Sequence, residues 1–205
     1  MRKKVVSKII GYIKSKKEID SDMEEKLIYG IESIYILVTK LFVIFILAFF
    51  LGIFKEMIIF LLLFNGIRTF AFGLHATKSI TCLIVSSITF LALPYVCSTI
   101  NINIIVKYIM SIICIISIYK YSPADTYKRP LINKKRRFKF KIISTIIAIV
   151  YVTLSFYSNS FISNCLLFSL LLEVIFISPI TYKIFKLPYN NYLKYEERND
   201  GNVFC

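Results

Sequence analysis

Apolar residues in this chain fall into long runs separated by short charged breaks, and that alternation sets the expected architecture. Runs at residues 36–54, 76–97, 102–119, 142–157 and 161–182 each read as a helix crossing a bilayer, whose hydrocarbon core of about 30 Å needs roughly 20 apolar residues. A further run at 57–64 is short. It crosses only by taking in residues beyond Asn65, which puts 68–75 at a membrane face as a broken or re-entrant segment. Ahead of these spans, Val5, Val6, Ile9, Ile10 and Ile13 recur at helical spacing among Arg2, Lys3, Lys4, Lys8, Lys14, Lys16 and Lys17, the pattern of an interfacial helix. Lys8 interrupts that stretch, so it does not read as the apolar part of a cleavable signal peptide. Ser21 and Glu24 have capping-box spacing and predict a helix start at Asp22. Lys55 and Glu56 are expected in a tight turn, and Pro94 where a kink near the end of its span is tolerated.

The expected fold is therefore all-α: a polytopic integral membrane protein of about six transmembrane helices with an N-terminal amphipathic interfacial helix. It reads as one domain over residues 1–205, comprising a basic interfacial helix at 1–20, a basic loop at 119–141 and a tail at 183–205.

Charge fixes the expected orientation. Between Lys120 and Lys141 the chain holds nine cations against the single acid Asp125, and the positive-inside rule makes this loop and the basic N-terminus cytoplasmic. Four spans lie between them, the even number that two cytoplasmic markers require. A final pair of spans turns at Ser158-Asn159-Ser160 and returns the tail to the inside, where Pro188, Asn190, Asn191 and the N-D-G at 199–201 read as a loose end. The location implied is a cytoplasmic membrane with both termini inside. Lys40, near the end of its span, can snorkel to the interface. A chain that is 57% hydrophobic, with its net charge of +14 outside the apolar runs, offers no groove for nucleic acid and suits anionic lipid or an acidic peptide.

The five cysteines have no C-x-x-C spacing, and there is one histidine, so no metal site and no cofactor is expected. Cys97 and Cys165 fall toward the same membrane face. Packing as small apolar residues is the ordinary role of such cysteines, and a disulfide is the alternative.

One stretch breaks the apolar pattern with chemistry: N-G-I-R-T-F-A-F-G-L-H-A-T-K-S-I-T-C at residues 65–82. It gathers a fixed cation (Arg68), a flexible backbone position (Gly73), a base (His75) and a nucleophile (Cys82). Alone, a cysteine on an apolar helix packs as a small hydrophobe, and a lone interfacial histidine is an ordinary amphipathic residue. Together they suit a thiolate–imidazole pair, His75 taking the proton of Cys82. In one unbroken helix the seven-residue step would leave them about 10 Å apart along the axis. A direct base needs about 3 Å. His75 is therefore expected before the helix start, with Gly73 turning the chain back, or the pair is completed across a dimer. Arg68 and backbone donors near Gly73 would steady an oxyanion or position substrate. Asn65 and Glu173, a carboxylate within an apolar span, are candidates to orient His75; for Glu173 helix packing is the rival reading.

These spacings resemble the AgrB family of membrane cysteine endopeptidases. Arg68 lies seven residues before His75, Gly73 two before it, Ala76 directly after it and Cys82 seven after it, matching the family's arginine, glycine, histidine-alanine and cysteine positions. Many family members have a second glycine where this chain has Phe72. Ser122-Pro123-Ala124-Asp125-Thr126 and Lys128-Arg129-Pro130-Leu131 are similar to the family's loop of proline, aspartate and lysine-proline. The resemblance implies a homodimer that removes the C-terminal part of an AgrD-like precursor through a Cys82 thioester and closes the remaining peptide into a thiolactone or lactone. The precursor would have an acidic C-terminal segment, met by Lys128, Arg129, Lys134, Lys135, Arg136 and Arg137; that these cations only fix topology is the competing reading. Two other functions fit the sequence. In a small peptide exporter or channel, Arg68, His75 and Glu173 would line a polar path; in a non-enzymatic scaffold, His75 would be dispensable.

Overall fold

The computed structural model describes residues 2–16, 19–74, 79–127 and 130–195, with side chains described for all of these except 2–4, 22, 33 and 79–82. The described residues form eight helices joined by short connections: α1 (Arg2–Lys16), α2 (Ser21–Phe50), α3 (Phe54–Ala71), α4 (Ser79–Thr99), α5 (Ile104–Tyr121), α6 (Lys134–Tyr157), α7 (Ser160–Ile177) and α8 (Pro179–Ile184). They fall into two compact units, 1–52 and 53–205.

In the first unit α1 packs on α2, with Val6 and Ile10 buried and Lys14 meeting Glu24 at 2.7 Å. α2 starts at Ser21, one residue before the expected start at Asp22. The Asp20 carboxylate, not the Ser21 hydroxyl, caps it, accepting the Ser21 N–H at 2.7 Å. The turn that follows α2 is built on Gly52, whose φ of 69° suits a residue without a Cβ. Lys55 and Glu56 accordingly fall in the first turn of α3, not in the turn itself.

In the second unit α7 is packed by α3, α4, α5 and α6. Its apolar residues lie all round it, as suits a helix enclosed by others, and Ser163 and Ser169 are small enough to let neighbours approach. Asn164 is buried and donates to the carbonyls of Cys97 and Ile100, tying the end of α4 to α7. Cys97 and Cys165 are buried free thiols, the packing role rather than the disulfide. Phe64 lies edge-on to both Phe90 and Phe176, joining α3 to α4 and α7.

Two further element boundaries differ from the sequence expectation. α6 begins at Lys134, about two turns before its apolar run, because Asn133 caps it through the Arg136 N–H at 3.2 Å and lysine and arginine are good helix formers. The expected span at 161–182 instead ends at Ile177. Proline has no N–H and pushes the preceding residue out of helical geometry, so Ser178 is extended (φ −64°, ψ 131°) and Pro179 opens the separate α8.

Among the described residues four helical stretches are long and apolar enough to cross a membrane: Met23–Phe50, Ile104–Tyr121, Lys134–Tyr157 and Ser160–Ile177. α3 carries Lys55, Glu56 and Arg68, and α4 is apolar over Leu83–Thr99, the part of it whose side chains are described. The chain is an all-α polytopic integral membrane protein. At one end of the second unit Ile67, Ala71, Leu74, Ile118, Ala124 and Ile177 pack into a single core, and the candidate site is built there.

Candidate functional site

α3 continues through Asn65 and Arg68 to Ala71, so the chain breaks later than the polar residues suggest. The break is at residues 72–74. Phe72 has φ 61° and ψ −126°, a backbone conformation that favours glycine, and Gly73 follows at φ 101°. A Cβ on Gly73 would lie 2.6 Å from Arg68 Nη1 and 2.8 Å from the Phe176 carbonyl oxygen, so close approach and positive φ both demand glycine here.

Each backbone N–H in this segment has a partner. Phe72 donates to Arg68 O at 3.1 Å, Gly73 to Ala124 O at 2.8 Å and Leu74 to Phe176 O at 3.0 Å, while Ala124 donates back to Ala71 O at 3.0 Å. The Phe176 carbonyl is available because α7 stops beside Pro179: the N–H that would have closed the next helical bond, that of Ile180, goes to Ser178 Oγ. A proline far along the chain thus supplies the acceptor that aligns Leu74.

Arg68 crosses the same gap with its side chain. Nη1 meets both Glu173 carboxylate oxygens at 3.3 and 3.4 Å, Nη2 donates to the Leu74 carbonyl, and the guanidinium lies 4.9 Å from the Phe176 ring centroid. The Glu173 side chain is fully buried. A buried carboxylate needs such a partner, since an uncompensated charge away from water is expensive.

Behind this segment stands the loop after α5. Asp125 is buried and accepts from the N–H groups of Asn191 and Tyr192 at 2.9 Å each and of Leu131 at 3.4 Å, while its carbonyl accepts from Tyr182 Oη at 2.9 Å. Burial raises the Tyr182 hydroxyl and pushes Tyr189 up to about 12, so both remain neutral donors. The tail is not loose through this region: the Asp125 carboxylate fastens residues 191 and 192 beneath the 122–126 loop. The N-D-G at 199–201 lies outside the described residues.

The structure brings Arg68, Gly73 and Glu173 together. Asn65 instead donates to the Leu61 carbonyl of its own helix at 2.8 Å, on an exposed face. Cys82 is in the first turn of α4, its side chain outside the described set; His75, Lys128 and Arg129 also lie outside the described residues. Lys134, Lys135, Arg136 and Arg137 form the first turn of α6. Arg137 donates to the Leu131 and Ile132 carbonyls and covers the Tyr192 ring at 3.7 Å; Arg136 lies over Phe140. Ala124 and Phe176, which hold the segment through their carbonyls, carry no side-chain signal. The Ser178-Pro179 pair was the local sign that a helix end would be available there.

The family model for accessory gene regulator B matches residues 6–177. An AgrB-like protein of Clostridium acetobutylicum is 33% identical over 172 residues, covering 83% of this chain and 82% of its own. An AgrB-like protein of Listeria innocua is 31% identical over 174 residues, covering 83% and 84%. Accessory gene regulator protein B of Staphylococcus aureus strain JH9 is 34% identical over 143 residues, covering 70% and 76%. No solved structure matches the chain. A match across most of the chain, with the Arg68, Gly73, His75 and Cys82 spacing inside it, shows that this chain belongs to the AgrB family.

Proposed function

We propose that this chain is a cysteine endopeptidase of the membrane that cleaves an AgrD-like precursor of a quorum-sensing peptide. Family membership supports a role in the agr quorum-sensing system, and the family is linked to peptide processing. The observation that carries the finer reading is the amount of structure spent on residues 72–74, directly before His75: two borrowed carbonyls, a buried ion pair and two positive-φ residues. A loop without a task has no need of such strain and burial.

In the proposed reaction His75 takes the Cys82 proton and the thiolate attacks the scissile carbonyl. The tetrahedral oxyanion collapses as the imidazolium returns that proton to the leaving amine. The precursor's C-terminal part departs and its N-terminal part remains as a Cys82 thioester. A thiol or hydroxyl within the bound peptide then displaces Cys82, closing the ring with the activation the thioester retains. Arg68 and Gly73 are positioning residues that fix the approach to His75, and Glu173 holds Arg68. The cations of α6, with Lys128 and Arg129, attract the acidic end of the precursor. Six crossings, cytoplasmic termini, a site at the cytoplasmic face and a homodimer complete the proposal.

The buried Arg68–Glu173 pair also suits an exporter, in which charges within the spans line a path. Co-expression of the precursor with wild-type, Cys82→Ser and His75→Ala chains separates the readings. The endopeptidase loses precursor cleavage in both variants; an exporter keeps its transport with Cys82→Ser.

A further inference from the structure

Two adjoining cavities open where α5 ends and α6 begins. The larger, about 460 Å³, is lined by Lys120, Tyr121, Lys141 and Tyr189 among others, and the smaller, about 210 Å³, by Tyr119, Ile142, Thr145 and Ile146; Phe138 and Lys141 line both. We propose that together they bind one anionic phospholipid, its phosphate among the cations and an acyl chain along the apolar groove.

The helical start of α6 makes this arrangement. Lys134, Arg137 and Lys141 stand at i, i+3 and i+7, on one face of the helix, and Lys120 faces them from the last turn of α5. None of the residues lining the larger cavity is acidic. Lys120 and Lys141 rest against the rings of Tyr121 and Tyr119 at 5.4 and 4.5 Å, which leaves their ammonium protons available to an anion. The groove continues from Lys141 along α6, where Ile142 and Ile146 are exposed on a helix apolar enough to cross the membrane. Charge at the end of a span and apolar surface along it match the two parts of a phospholipid. An acidic peptide would use the first and leave the second empty. This inference is independent of peptide cleavage.

The test is native mass spectrometry of the purified full chain in detergent, offered equal amounts of phosphatidylglycerol and phosphatidylcholine with the same acyl chains. Retention of one phosphatidylglycerol in clear preference is expected. The preference should fall roughly 30-fold in Lys120→Gln/Lys141→Gln, which removes two interfacial cations, and survive in Lys120→Arg/Lys141→Arg. Ile146→Ser should weaken long-chain lipid while leaving a short-chain phosphatidylglycerol unchanged. Equal retention of the two lipids by the wild type overturns the proposal whether or not the variants fold. So does a preference that survives the glutamine pair. Displacement by millimolar inorganic phosphate, with no effect of Ile146→Ser, would make this a free-anion site and sink the lipid. Displacement by a glutamate-rich peptide, together with no effect of Ile146→Ser, would make it a peptide site instead.

Discussion

Arg68 in the last turn of α3 and Glu173 in α7 meet at 3.3 Å across 105 residues of sequence, with the glutamate side chain wholly buried. Removing either partner alone, as Arg68→Ala or Glu173→Ala, strands the other and should cost about 3–5 kcal/mol of stability. An apolar pair, Arg68→Met with Glu173→Leu, should recover much of that loss, read by thermal unfolding in detergent. Precursor cleavage should not return with it, because the methionine cannot donate to the Leu74 carbonyl. Recovery of stability and cleavage together would reduce the pair to packing.

Phe72 tests backbone strain against side-chain packing. Its positive φ costs about 1–3 kcal/mol, while its ring lies 5.2 Å from that of Phe140. Phe72→Gly exchanges one for the other and should leave stability within about 1 kcal/mol of wild type, with cleavage retained. Phe72→Ala keeps the strain and loses the ring, so it should be the less stable of the two. Chemical denaturation of both variants gives the order directly.

Asp125 is the bolt under the site. Asp125→Ala leaves the N–H groups of Asn191 and Tyr192 without their acceptor and should destabilise that region by about 2–4 kcal/mol. Limited proteolysis should then cut within residues 186–195 faster than in the wild type. Equal cutting rates in the two proteins would contradict the fastening described.

On α6, Lys135→Gln with Arg136→Gln should raise the KM for a precursor with an acidic C-terminal segment several-fold and leave kcat nearly unchanged. Added salt should shrink the difference by screening it. A precursor with a neutralised tail should not distinguish the variant from wild type. A fall in kcat alone would place these side chains in the chemistry rather than in capture.

The long helices were legible because apolar runs leave few other solutions in a membrane. The place for a glycine at position 73, close to Arg68, was legible from the spacing of the motif. Less legible was the start of α6: a run of Lys and Arg reads as loop by charge, although both residues favour helix and Asn133 is a good cap. At Ser178-Pro179 the local signal for a helix end was present, but the surrounding apolar run outweighed it. The partner of Glu173 could not be read, since several cations were available to a carboxylate that needed one. The acceptors at Ala124 and Phe176 are backbone atoms. They depend on where two distant helices end, and no residue type marks them.

Trapping the acyl-enzyme tests the central claim most directly. Wild-type, Cys82→Ala and His75→Ala chains would each be incubated with the precursor, quenched in acid and examined by intact-mass and peptide mass spectrometry. The endopeptidase reading predicts an adduct of the precursor's N-terminal part on Cys82 that hydroxylamine removes, absent from both variants, together with loss of cleavage. Cleavage that continues unchanged in Cys82→Ala would contradict it.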